Sequence, residues 1–224
     1  MREFHRGRKR GIYLTNTMNS YSTEQEGFWA GNFGSEYTDR NQGATLHAGN
    51  LSFFAKIAER LRGVTSVLEL GANRGMNLHA LRALLPSADL SGIEINADAA
   101  KILEDAGFTS HLGSILDFTP PRTYELTFTK GVLIHINPDA LPKVYDLLHA
   151  ASNRYVLVAE YYNPAPVEIT YRGHTGRLFK RDFAGELMQR YSDLRLVDYG
   201  FLYRNDPVFP QDDITWFLLE KRPG

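Results

Sequence analysis

The sequence predicts an α/β fold: a mostly parallel seven-stranded sheet with helices on both faces and an N-terminal helical cap. Three observations predict it. Short apolar runs alternate with helical stretches from residue 64 to 161, and strand, helix, strand with short links demands parallel pairing and right-handed crossovers. A loop with glycines at 71 and 75 follows the first of these strands, at the strand end where an open parallel sheet binds ligands. Two β-rich runs, 194–203 and 214–220, suit an antiparallel pair completing one edge.

The elements follow in order. Residues 21–62 read as a helical cap, with aromatics at Phe28, Trp29, Phe33 and Tyr37 and a near-3.6 apolar period over 50–61 stopped by Gly63. Residues 63–224 read as the main domain. Its first strand, 64–70, ends at Gly71. A helix over 77–85 is closed by Pro86, a strand covers 89–94, and a helix over 97–106 is closed by Gly107. Strands follow at 108–111 and 124–129. A helix over 138–150 tolerates Pro142 in its first turn, and the fifth strand is 154–160. A polar loop over 162–182 leads to a helix at 181–190. The Asn205-Asp206-Pro207 turn joins the final two strands.

Composition narrows the classes. The 224 residues carry a net charge of −1, so no global field draws the chain to nucleic acid or to an anionic membrane. The first twenty residues are polar and aperiodic, and their basic start (Arg2, His5, Arg6, Arg8, Lys9, Arg10) reads as a disordered tail, with Met18 as a second candidate start. There is no apolar run for a signal peptide or membrane span. Cysteine is absent, which excludes disulfides and thiolate metal sites and permits a cytoplasmic setting. No metal-ligand spacing is evident. Oligomeric state is not legible.

The glycine loop carries the chemistry. Gly71 lets the backbone turn directly after the strand, and Gly75 opens the next helix. Asn73 stands where a dinucleotide fingerprint requires glycine for the pyrophosphate, which favours a nucleoside cofactor without phosphates. Glu94 ends the second strand, where a carboxylate accepts hydrogen bonds from both ribose hydroxyls.

Taken together, 67–75 (Val-Leu-Glu-Leu-Gly-Ala-Asn-Arg-Gly), 91–96, 111–118 and 127–136 resemble the successive motifs of the class I S-adenosylmethionine-dependent methyltransferases, a Rossmann-like family. The resemblance implies S-adenosyl-L-methionine as cofactor, with Glu69 and Gly71 facing its methionine part. It also implies Asn73, Gly75, Glu94, Ile95, Ser114, Ile115 and Lys130 around the rest. The family often has an acid directly after the third-motif glycine, against the adenine amine; this chain has Ser114 there, which shifts adenine recognition toward the Ile115 backbone. Residues 26–41 further resemble methylases associated with pseudaminic acid biosynthesis. That implies a small, anionic acceptor such as a nonulosonic (sialic-like) sugar or its nucleotide-linked form.

The acceptor site is expected from the two flanking segments. Trp29 and Tyr37 offer aromatic faces to a sulfonium, and Arg40 offers a partner for the methionine carboxylate. Tyr161, Tyr162, Arg172, Arg177, Lys180 and Arg181 place aromatics and cations on the loop over the cleft. His135, His174 and Glu160 are the candidates for taking a proton from the acceptor. Other readings are a methyltransferase for another small metabolite or natural-product intermediate, a non-catalytic cofactor-binding regulator, an NAD-dependent oxidoreductase, which the loop spacing disfavours, and an RNA methyltransferase, which the charge balance disfavours.

Overall fold

The computed structural model describes residues 21–222, so the basic segment 1–20 and its expected disorder lie outside the described residues. The chain order is α1 (Glu24–Ala30), α2 (Asn32–Arg40), α3 (Ala44–Ala58), β1 (Ser66–Leu70), α4 (Met76–Leu84), β2 (Asp89–Glu94), α5 (Ala97–Asp105), β3 (Thr109–Leu112), β4 (Tyr124–Lys130), α6 (Leu141–Ala151), β5 (Ser152–Glu160), β6 (Val167–Tyr171), β7 (His174–Lys180), α7 (Phe183–Arg190), β8 (Leu194–Leu202) and β9 (Ile214–Lys221). Single 3-10 turns, Leu133–His135 and Pro138–Ala140, separate β4 from α6.

Seven strands form one sheet in the order β3-β2-β1-β4-β5-β9-β8. The five strands from β3 to β5 are parallel, and β9 and β8 pair antiparallel beside β5. The sheet is covered on both faces, which is why its central strands are apolar on consecutive residues. In β5, Tyr155, Leu157 and Ala159 join one core cluster, while Val156 and Val158 join the other. The first cluster packs the strands against α3, α4 and α5; the second packs them against α6 and α7.

Two expectations are corrected. First, α3 does not belong to the cap. Its Phe53, Phe54 and Ile57 are fully buried in the first core cluster, so a boundary at 62/63 would divide one core, and only α1 and α2 remain as cap. Second, 162–182 is not a loop. Most of it is the hairpin β6–β7, turned at Arg172 and Gly173, both at positive φ (48° and 84°). That is the geometry of a two-residue primed turn. Arg-Gly is a weaker signal for such a turn than Asn-Gly, and the basic residues around it made the segment read as irregular.

No helix among the described residues is long and apolar enough to cross a membrane.

Candidate active site

The carboxyl ends of β1, β2 and β4 open into one pocket, roofed by α1 and α2. Its floor begins with the glycine loop. Gly71 lies at φ 75°, and a Cβ there would sit 2.7 Å from Val132 Cγ2. Gly75, at φ 81°, packs so close to Leu103 that a Cβ would approach its Cδ1 to 2.6 Å. Between them Asn73 also takes a left-handed conformation, φ 48°, which asparagine tolerates better than most side chains. The loop is stitched to β2: the Gly71 and Ala72 amides both donate to the Ile93 carbonyl at 2.9 Å.

Glu94 finishes that stitching. One of its oxygens accepts from the Asn73 amide at 2.7 Å and the other from the Asn96 amide at 2.8 Å. Each oxygen keeps a second lone pair, and the residue lines the pocket. Burial raises its pKa, while the amides of Asn96, Asn73 and Ile95 oppose the rise.

Ser114 directs attention to a residue the sequence reading missed. Its hydroxyl donates to the Glu26 carboxylate, which reaches across from α1, and it accepts from the Leu116 amide at 3.0 Å. Glu26 is also the third residue of a capping box with Thr23. Burial would raise its pKa, but the hydroxyls of Ser114, Ser22 and Thr23 outweigh that and hold it below the ordinary value. The Thr23-x-x-Glu26 signature was present in the sequence; its long-range contact with Ser114 had no local signal.

Several predicted residues come together in the lining: Trp29, Tyr37, Gly71, Asn73, Glu94, Ile95, Ser114, Ile115, Lys130 and His135. The Trp29 ring lies 5.3 Å from Tyr37 and 4.6 Å from the His135 imidazole. Burial lowers the His135 pKa to about 4, so the ring is neutral near pH 7. Its Nδ1 donates to the Arg177 carbonyl at 2.6 Å, which makes Nε2 the accepting nitrogen.

Other predicted residues lie elsewhere. Glu69 sits beneath the floor, 1% exposed, accepting from Asn77 Nδ2 at 2.6 Å. Gly75 packs under the loop rather than lining the pocket. Arg40 is exposed and pairs with Glu36 at 3.6 Å. Glu160 is buried and accepts the Val132, Leu133 and Ile134 amides, capping the turn that carries His135. His174 is exposed on the hairpin, its ring edge-on to Phe28 at 5.3 Å. Arg177 pairs with Glu24, Arg181 with Glu186, Lys180 lies over the Tyr161 ring and Arg172 over Tyr171. Tyr161 borders both core clusters, and Tyr162 is exposed near Phe217. Arg177 and Glu24, with a hydrogen bond from Gln25 Nε2 to the Gly176 carbonyl at 2.9 Å, bind hairpin and cap into one roof.

The lining also contains Asn50, Asn77, Gln211 and Asp212, none of them expected. Gln211 and Asp212 arrive because β9 is antiparallel: its start lies beside the end of β5, with Thr215 opposite Glu160. Lys130 stands nearby. Burial lowers its pKa, opposed by the carboxylates of Glu69, Asp212 and Glu160.

The buried acids beneath the pocket make stability depend on pH. Burial pushes Glu69 up to about 8 and Glu160 up to about 7, from an ordinary value of 4.5. Between the unfolded and folded pKa the native state holds protons that the unfolded chain has lost. Rising pH therefore favours unfolding; the contribution is complete below the unfolded value and gone above the folded one. His135 has the opposite sign, but only below its ordinary 6.5, and Lys130 opposes from its lowered pKa upward. Glu69→Gln isolates the effect. Between pH 6.5 and 8 the wild-type Tm should fall about 5 °C relative to the variant, at about 1.4 kcal/mol per pH unit. Parallel curves would show that Glu69 is ionised throughout.

Solved structures share this architecture. A 1,6-didemethyltoxoflavin N1-methyltransferase from Burkholderia thailandensis, with bound 1,6-didemethyltoxoflavin and S-adenosylhomocysteine, matches at TM-score 0.66 and 15% identity, over 85% of this chain and 86% of that one. A plantazolicin methyltransferase in complex with S-adenosylhomocysteine matches at 0.61 and 13%, over 89% and 94%. A magnesium protoporphyrin IX methyltransferase from Synechocystis PCC 6803 with bound S-adenosylmethionine matches at 0.61 and 10%, over 91% and 99%. No family profile and no curated protein matches the chain.

Proposed function

We propose that this chain, which has the Rossmann-like fold of the class I methyltransferases, transfers a methyl group from S-adenosyl-L-methionine to a small-molecule acceptor. The observation that carries the reading is the junction of the Gly71 turn with Glu94: a backbone cradle and a buried carboxylate with free lone pairs, at adjacent strand ends under a cap.

The lining fits the cofactor. Trp29 Nε1 and Asn77 Oδ1 are buried without partners, and Lys130 provides a cation for a carboxylate. Glu94 would hold the ribose, the Gly113–Leu116 stretch with Glu26 would flank the base, and Trp29 and Tyr37 would face the sulfonium. When bound, the cofactor supplies a methyl carbon already activated by positive charge. The protein is left to align the acceptor and manage its proton. Neutral His135 takes that hydrogen bond at Nε2. Glu160 positions His135 from below the pocket.

The basic side chains that suggested an anionic acceptor lie outside the lining, so that part of the expectation is not carried forward. The likeness of residues 26–41 to pseudaminic-associated methylases nominates a nonulosonic sugar, itself a carboxylate, as the one acceptor whose methylation in an assay would restore the anionic reading. Thermal melting tests the cofactor reading: S-adenosylhomocysteine at 100 times its Kd should stabilise the chain by about 2.7 kcal/mol, and NAD should not. Stabilisation by NAD alone would overturn it.

A further inference from the structure

The large hydrophobic side chains that stay exposed are concentrated on one edge of the sheet. Twelve are exposed among the described residues, and seven of them fall between Leu196 and Phe209, on β8 and the turn after it. β8 is the last strand of the sheet and pairs only with β9. Its even positions here face inward: Leu202 is buried in the first core cluster, and a Cβ on Gly200 would sit 2.7 Å from Trp216 Cζ2. Alternation turns Tyr199, Phe201 and Tyr203 to the opposite face, where they are 65%, 57% and 49% exposed. The buried part of the second core cluster reaches this strand only at Leu194, so the helices on that side leave the three rings open. Tyr199 and Tyr162 both lie against Phe217, at 6.3 and 6.0 Å, which adds Tyr162, 41% exposed, to the same surface.

Size and pattern identify what covers it. At about 200 Å² for a whole aromatic side chain, the four rings expose about 400 Å². A standard protein interface takes about 800 Å² from each side, a little over half of it apolar, so the rings suffice for the apolar centre of one such interface. The exposed face of Tyr199-Gly200-Phe201-Leu202-Tyr203 presents Tyr, Phe, Tyr, an order that reads the same from either end. A two-fold contact demands this, because each patch meets a copy of itself running the other way. Phe201 then stands opposite Phe201, and Tyr199 opposite Tyr203. An anionic membrane would be drawn by free cations, but Arg195 and Arg204, at the two ends of the stripe, pair with Glu220 and Asp213.

We propose that this face is a homodimer interface: two copies of the chain pack their β8 aromatic stripes together about a two-fold axis at Phe201. None of the four rings lines the pocket, so the proposal stands independently of the methyltransferase reading.

Analytical ultracentrifugation of the full chain tests it. The wild type should sediment as a dimer at about 100 µM, well above the Kd of a standard interface. Phe201→Asp should raise the dimer Kd about 100-fold, since it removes the central ring from both copies and sets two like charges across the axis. Its far-UV circular dichroism should match the wild type, the ring being more than half exposed. Two double variants test the facing. Tyr199→Glu with Tyr203→Glu opposes like charges across the axis, whereas Tyr199→Lys with Tyr203→Glu opposes unlike ones and should dimerise about tenfold more tightly. Equal dimerisation by the two would overturn the two-fold arrangement. A chain that remains monomeric at about 100 µM would overturn the proposal entirely. So would a dimer that Phe201→Asp leaves intact, since its contact would lie on another face.

Discussion

Glu94→Gln should lower the affinity for S-adenosylhomocysteine by about 100-fold. The carboxylate does two things at once. It accepts the Asn73 and Asn96 amides at 2.7 and 2.8 Å, and under the proposed function its remaining lone pairs would accept from ribose hydroxyls. Glutamine has one accepting oxygen, so its NH2 must face either a backbone amide, another donor, or a ribose hydroxyl. At least one charged hydrogen bond, worth about 1.5–3 kcal/mol, is lost, and the Asn73 turn loses its anchor. About 3 kcal/mol in sum corresponds to about two decades of Kd. Isothermal titration measures it, with near-UV circular dichroism confirming that the variant is folded. A change below threefold would mean that Glu94 only braces the loop and touches no ligand.

The strength of this expectation reflects how local the information is. Gly71, Asn73 and Gly75 lie within five residues of one another, and their left-handed φ values follow from a strand that must turn sharply into a helix. Glu94 is placed by the adjacent strand, through a βαβ unit with a fixed hand. The sheet was legible for the same reason: the strand runs alternate with helices short enough to force neighbouring pairing.

What the sequence concealed is long-range. Glu26 reads as a helix cap, and nothing near it announces a bond to Ser114, 88 residues away. Gln211 and Asp212 sit in a stretch that shows only turn residues; they become pocket walls because β9 runs antiparallel to β5 and starts at the sheet edge that the pocket occupies. The opposite error concerns Arg172, Arg177, Lys180 and Arg181. A cluster of cations over a cleft suggests an anion, but Arg177 and Arg181 already have glutamates, and Lys180 and Arg172 lie against tyrosine rings. Composition counts charges; only the fold shows which are paired.

Glu160 separates a positioning role from a catalytic one, and its variants should diverge. Glu160→Ala should destabilise the protein by about 3 kcal/mol, because three amides, of half-buried Val132 and buried Leu133 and Ile134, lose their acceptor together. The 3-10 turn they begin holds His135 against the Arg177 carbonyl, so loosening it should also lower kcat. Glu160→Gln should be mild, costing about 1 kcal/mol. One of its oxygens already serves both Val132 and Leu133, at 3.0 and 3.1 Å, while the other makes only the 3.4 Å contact with Ile134. Burial also raises the Glu160 pKa to about 7, so the neutral carboxylic acid, which glutamine imitates, is well populated in the native state. Chemical denaturation gives the stabilities, and the pH profile of kcat supplies the second reading. A proton-accepting carboxylate would leave Glu160→Gln as inactive as Glu160→Ala, with the inflection near 7 abolished. A positioning carboxylate predicts near wild-type kcat for the glutamine variant once its stability is matched, and that recovery is the expected result.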